Sequence, residues 1–120
     1  MRIVNSNTLV AKDAIMGLIK KLGSSKTEAE TSKWLTLNLG TELFCSWLMF
    51  DEDEAIGMLL AEVVEGDSAF VAMDWVKNGL GKEELLEKLE SWAKNLGLKK
   101  LIKYTNKSPS TFVKKHGWSV

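Results

Sequence analysis

Three apolar runs in the middle of the chain constrain the fold most. They are ELFCSWLMF (Glu42 to Phe50), AIGMLLAEVV (Ala55 to Val64) and SAFVAMDWV (Ser68 to Val76). Between them lie only DEDE (Asp51 to Glu54) and a turn at Gly66-Asp67. Short runs joined by tight turns form an antiparallel meander. The strands are apolar at both alternating positions, so helices must cover both faces of the sheet.

The flanking segments supply those helices. Ala14, Ile15, Leu18, Ile19 and Leu22 mark one helical face that stops at Gly23. Ser25 and Glu28 have capping-box spacing, which predicts a second helix with Ala29, Trp34 and Leu35 inward and Gly40 at its end. After the meander, Leu85, Leu86, Leu89, Trp92, Ala93 and Leu96 repeat at helical spacing up to Gly97. LKKLIKY (Leu98 to Tyr104) is the next strand, and a short helix follows with Ser108 as cap, Pro109 at its first position and Gly117 past its end. With a short strand at Arg2 to Asn5, the order is β-α-α-β-β-β-α-β-α. This is an α/β (α+β) class with a mixed sheet, and the strand-helix-strand step after Ser68 predicts a parallel pair.

A chain of 120 residues is expected to form one domain, residues 1–120, with a real core. Formal net charge is zero, which argues against a general nucleic-acid binder. The charges are nevertheless segregated. From Thr41 to Val76 there are nine acidic residues and no Lys or Arg, whereas from Lys77 onward ten lysines face four glutamates. Such a split suits a cationic acceptor and an anionic cofactor, and it equally suits plain solvated surface. No apolar stretch reaches membrane-spanning length and no signal-peptide core is present, so a cytoplasmic location is expected. Cys45 is the sole cysteine and reads as buried filler; His116 lacks a second ligand at zinc spacing, so no metal site is expected.

Chemistry is most legible between the third meander strand and the helix behind it, in VKNGLGK (Val76 to Lys82). A helix start directly after a strand offers unpaired N–H groups and the positive end of the macrodipole. Glycines let backbone approach an anion closely. Asp74, a carboxylate on a mostly apolar strand, is the candidate general base, with Glu62 on the neighbouring strand as the second candidate; hydrogen bonding to the loop is the alternative role for Asp74. Trp75 is placed to line a cofactor cleft.

The run from Ile56 to Trp118 resembles the GNAT superfamily of acyl-CoA-dependent N-acetyltransferases. IGMLLAEV is similar to the family's third strand, and Gly79 and Gly81 fall on the glycines of its (Arg/Gln)-x-x-Gly-x-(Gly/Ala) signature. LLEKLESWAKNLGLKKLIKYTN resembles its central helix and fifth strand, Asn106 its asparagine after that strand, and FVKKHGW its ending. The resemblance implies acetyl-CoA as cofactor and a primary amine, on a small molecule or a protein, as acceptor. It implies that Trp75, Val76, Lys77, Asn78, Gly79, Leu80, Gly81, Lys82 and Asn106 bind the cofactor, the pyrophosphate resting on the loop amides. It further implies a backbone N–H on the fourth strand as oxyanion donor.

The sequence departs from the family pattern in three places. Val76 stands at the Arg/Gln position, Val113 at that of the tyrosine that often acts as general acid, and the family's last two strands have no counterpart. The expectation is a truncated GNAT-like fold in which Leu98 to Tyr104 is an open edge guarded by Lys99, Lys100 and Lys103. Short relatives of this kind resemble acetyltransferase-like proteins of bacteriophages. The alternative to an enzyme is therefore a non-catalytic assembly subunit, such as a virion component, that self-associates or meets another protein chain through that edge.

Overall fold

The computed structural model describes residues 1–24, 26–64 and 66–102. Tyr104, Asn106, Val113, His116, the helix expected after Ser108 and the question of two further strands all lie outside the described residues.

The meander forms as expected. β2 (Phe44–Asp51), β3 (Glu54–Val64) and β4 (Ser68–Val76) pair antiparallel in that order. β1 (Arg2–Asn5) adds antiparallel to β2, with Arg2 opposite Phe50. β5 (Lys100–Ile102) pairs parallel with β4, from Ser68 opposite Lys100 to Phe70 opposite Ile102. The result is a five-stranded mixed sheet in sequence order.

Alternation along β2 and β3 divides the core into two layers. Phe44, Leu48, Met58 and Leu60 face α1 (Lys12–Leu22) and α2 (Glu28–Asn38), where Ile15, Ile19 and Leu35 meet them. Cys45, Met49, Leu59 and Ala61 face α3 (Lys82–Asn95), where Leu85, Leu86, Leu89 and Ala93 meet them. Each fully buried Leu or Ile contributes about 1.5–3 kcal/mol by removal from water. Ser6 and Ser46 are two of the buried polar residues; their hydroxyls are 2.6 Å apart and satisfy each other.

Three local expectations are corrected. The cap of α2 is Thr27 rather than Ser25: its hydroxyl accepts from the Glu30 N–H at 3.1 Å, and Glu30 Oε1 accepts from the Thr27 N–H at 3.2 Å. Both pairs have capping-box spacing, and the later one starts the helix in phase with buried Thr31 and Leu35. The first hairpin turn uses only Glu52 and Asp53, because Asp51 and Glu54 still pair with each other. The last described strand starts at Lys100, not Leu98. The Leu98 N–H is taken by the Ala93 carbonyl at the end of α3, and the Lys99 N–H by the Asp67 carbonyl. A short 3-10 turn at Leu9–Ala11 had no signal in the sequence.

Cys45 is 3% exposed, and this has a consequence at alkaline pH. Burial pushes its thiol from 9.0 up to about 12, against a smaller opposing effect of a backbone hydrogen bond with Ala61. Below the unfolded value both states keep the proton. Above it the unfolded chain ionises first, so stability falls as pH rises toward the folded value. Raising the pH from about 8 to about 10 is expected to cost the parent about 1.4 kcal/mol more than Cys45→Ala, read from urea unfolding of both proteins at both pH values.

Candidate active site

β4 ends at Val76, and the chain passes through a 3-10 turn, Lys77–Gly79, before α3 starts at Lys82. The turn is held by the Leu80 N–H donating to the Lys77 carbonyl at 3.3 Å. Asn78 (φ 58°), Gly79 (φ 70°) and Gly81 (φ 78°) all occupy the left-handed region. This allows the chain to reverse in so few residues. Gly81 is the N-cap of α3, and a glycine brings no capping side chain. The first amides of α3 thus lack a partner both within the helix and from their own cap.

A cleft of about 240 Å³ opens beside this helix start. Asp74, Trp75, Val76, Gly79 and Lys82 line it, all of them residues singled out in the sequence. Leu59, Leu85 and Leu86 form its apolar wall; the sequence showed them only as members of periodic apolar runs. Asp74 lies opposite Leu59 in the β3–β4 register and so on the α3 side of the sheet.

The remaining expected site residues are placed differently. Lys77 is ion-paired with Glu54 on the β2–β3 hairpin, and that pairing holds the Glu54 carboxyl below its ordinary value. Asn78 and Leu80 are exposed and do not line the cleft. Gly79 lines the cleft and has no atom within 4 Å of where a Cβ would stand. Gly81 packs closely: a Cβ there would stand 2.7 Å from Met49 Sδ and 2.9 Å from its Cε. The same methionine lies under Gly57, where a Cβ would stand 2.8 Å from Cε. Glu62 is not brought to Asp74. It opposes Phe70 on the α1–α2 side of the sheet, where Oε2 accepts a 3.3 Å hydrogen bond from Trp34 Nε1.

The architecture is shared with solved acetyltransferases. The aminoglycoside acetyltransferase AAC(6')-Iy, in complex with a bisubstrate analogue of CoA and acetylneamine, is 16% identical with a TM-score of 0.76, over 99% of this chain and 90% of that one. The aminoglycoside 6'-N-acetyltransferase AAC(6')-IG from Acinetobacter haemolyticus is 17% identical with a TM-score of 0.75, over 100% and 92% of the two chains. A GNAT-family acetyltransferase from Streptococcus pneumoniae is 15% identical with a TM-score of 0.70, over 97% and 82%. At such identities the likeness is one of fold. These likenesses lend the phage and virion reading no support. No curated protein matches the sequence. Residues 15–118 match the acetyltransferase (GNAT) family, and the chain belongs to that family.

Proposed function

We propose that the protein is an acyl-CoA-dependent N-acetyltransferase that modifies a primary amine. The observation that carries this is the cleft in which an uncapped helix start, an open glycine face and the Asp74 carboxylate converge. The residues fit an anionic nucleotide tail. The α3 amides from Lys82 onward offer N–H donors, Lys82 adds a charge at the cleft wall, and Gly79 leaves room. Glu83 and Glu84 also lie in the first turn, but both are exposed and neither lines the cleft.

Acetyl-CoA would supply the activated acetyl thioester. Leu59, Leu85 and Leu86 would exclude water from the reacting end. Asp74 would take a proton from the acceptor ammonium, directly or through one water, since only the neutral amine is a nucleophile. A β4 backbone N–H would donate toward the oxygen on which charge develops. With valine at position 113, solvent would supply the proton to the thiol product. Aminoglycosides are the first acceptors to test, because the two enzymes compared above are named for them.

Calorimetry with acetyl-CoA tests the cofactor half of this reading. Micromolar binding is expected, with Gly79→Glu and Lys82→Glu each weakening it by at least about tenfold, or about 1.4 kcal/mol. Lys82→Glu guards against loop strain as the cause, because position 82 is an ordinary helical one. Absence of binding at millimolar acetyl-CoA, or binding indifferent to both changes, overturns the assignment.

A further inference from the structure

A separate cavity, of about 360 Å³, lies at the far end of α3. Trp92 and Asn95 reach it from the last turn of that helix, and Asn5 and Trp47 from β1 and β2, where they stand opposite each other. Thr41 and Glu42 complete the rim from the segment before β2. α3 has 14 residues, so at about 1.5 Å per residue roughly 20 Å separate this end from the Asp74 cleft at its start.

Hydrogen bonds fix the rim. Asn7 clamps the segment before β2: its Nδ2 donates to the Thr41 carbonyl at 2.9 Å and to the Phe44 carbonyl at 2.8 Å, and its Oδ1 accepts the Gly40 N–H at 2.8 Å. The Trp92 indole N–H donates to the Glu42 carbonyl at 3.3 Å and fastens α3 to the same segment. Several polar groups are left over. Among the described residues the Asn95 amide and the Glu42 carboxylate have no partner. Asn5 accepts the Asn7 N–H through Oδ1 at 3.0 Å, which leaves its Nδ2 free. The Trp47 indole N–H is the one buried side-chain polar atom among the described residues without a partner. No hydrogen bond pins that ring; packing holds it, with the Lys88 ammonium over its face, 5.5 Å from the centroid.

These features select a class of ligand. Glu42 is the only charged residue in the lining, so the cavity does not suit an anion such as a phosphate. Its free amides and carboxylate come from separate elements and offer both donors and acceptors. A heterocyclic base has polar atoms only along its edges, whereas a sugar carries hydroxyls around its ring, each able to donate and accept. The C–H groups on a pyranose face are slightly positive and meet the negative face of an indole.

We propose that this cavity binds an uncharged saccharide, with one pyranose ring against Trp92 and its hydroxyls on Asn5, Glu42 and Asn95. A ligand oxygen accepts the Trp47 N–H as the unpinned indole turns toward it. The site needs neither acetyl-CoA nor Asp74, so it stands or falls independently of acyl transfer.

Cellobiose and maltose, a β-linked and an α-linked disaccharide, test this by NMR of the indole N–H signals on the full chain without cofactor, each signal assigned to its tryptophan. The Trp47 and Trp92 signals are expected to shift together and saturate at millimolar concentrations of at least one sugar, while those of Trp34 and Trp75 stay in place. Cyclohexanol, a ring with a single hydroxyl, and adenosine should each bind at least about tenfold more weakly. Asn95→Ala and Glu42→Ala, both at exposed positions, should each weaken the sugar about threefold or more and leave the unfolding midpoint in place. Motionless Trp47 and Trp92 signals with both sugars overturn the site, and so does a shift confined to the other tryptophans. Cyclohexanol or adenosine binding as well as the sugar overturns the saccharide assignment, as does affinity indifferent to both variants.

Discussion

Asp74→Asn is expected to slow acetyl transfer by about a hundredfold to ten-thousandfold, the usual range for removing a general base. Asparagine matches aspartate in shape and keeps one acceptor oxygen, but it cannot take a proton at neutral pH. The cofactor is assigned to the α3 amides and Lys82, so acetyl-CoA affinity should stay within about twofold while kcat falls. Thiol release from acetyl-CoA, followed with an aminoglycoside as acceptor, measures the first; calorimetry measures the second. If kcat persists, the proton leaves by solvent and Asp74 has only a positioning role. If affinity collapses along with rate, the residue is holding the loop instead.

Leu89→Ala is expected to lower the unfolding free energy by about 2–5 kcal/mol. Leu89 is 0% exposed and belongs to the cluster that joins α3 to the sheet through Leu59, Ala61 and Val71. Removing its isobutyl group leaves a void that neighbours on a sheet cannot readily fill. Against the 5–15 kcal/mol typical of a domain, the loss consumes a large share of the total. Chemical unfolding reads it directly. A loss below about 1 kcal/mol would mean that α3 is less tightly seated than its burial indicates. Because α3 carries the candidate anion site at its first turn, weaker acetyl-CoA binding should accompany the lost stability.

Much of this was legible because local chemistry dictates it. Ile15 and Ile19 at helical spacing, the three apolar runs and the glycines at 79, 81 and 97 announced helices, meander and turns, and the structure keeps them. Asp74, Trp75, Gly79 and Lys82 line one cleft, and their nearness in sequence made that juxtaposition legible. What the sequence left open depends on register. Glu62 and Asp74 lie on adjacent strands, and nothing local says whether they share a face. Had the pairing of Ala61 with Val71 continued unshifted, Asp74 would oppose Met58, on the same side as Glu62. One inserted residue in β4 turns Asp74 over to the α3 side. The packing at Gly81 was out of reach for a similar reason. Its neighbour Met49 is more than thirty positions away, and only the folded sheet brings the thioether beneath it.

That thioether acts as a shim. It fills the room left by Gly57 and Gly81, and so sets the height at which the loop rides above the strands. An unbranched, pliable side chain can do this without imposing a single rotamer. The mouth of the cleft is therefore adjusted from underneath, by a β2 residue that no ligand in the cleft would touch. Reshaping the mouth for a bulkier nucleotide begins at position 49, ahead of any residue on the rim.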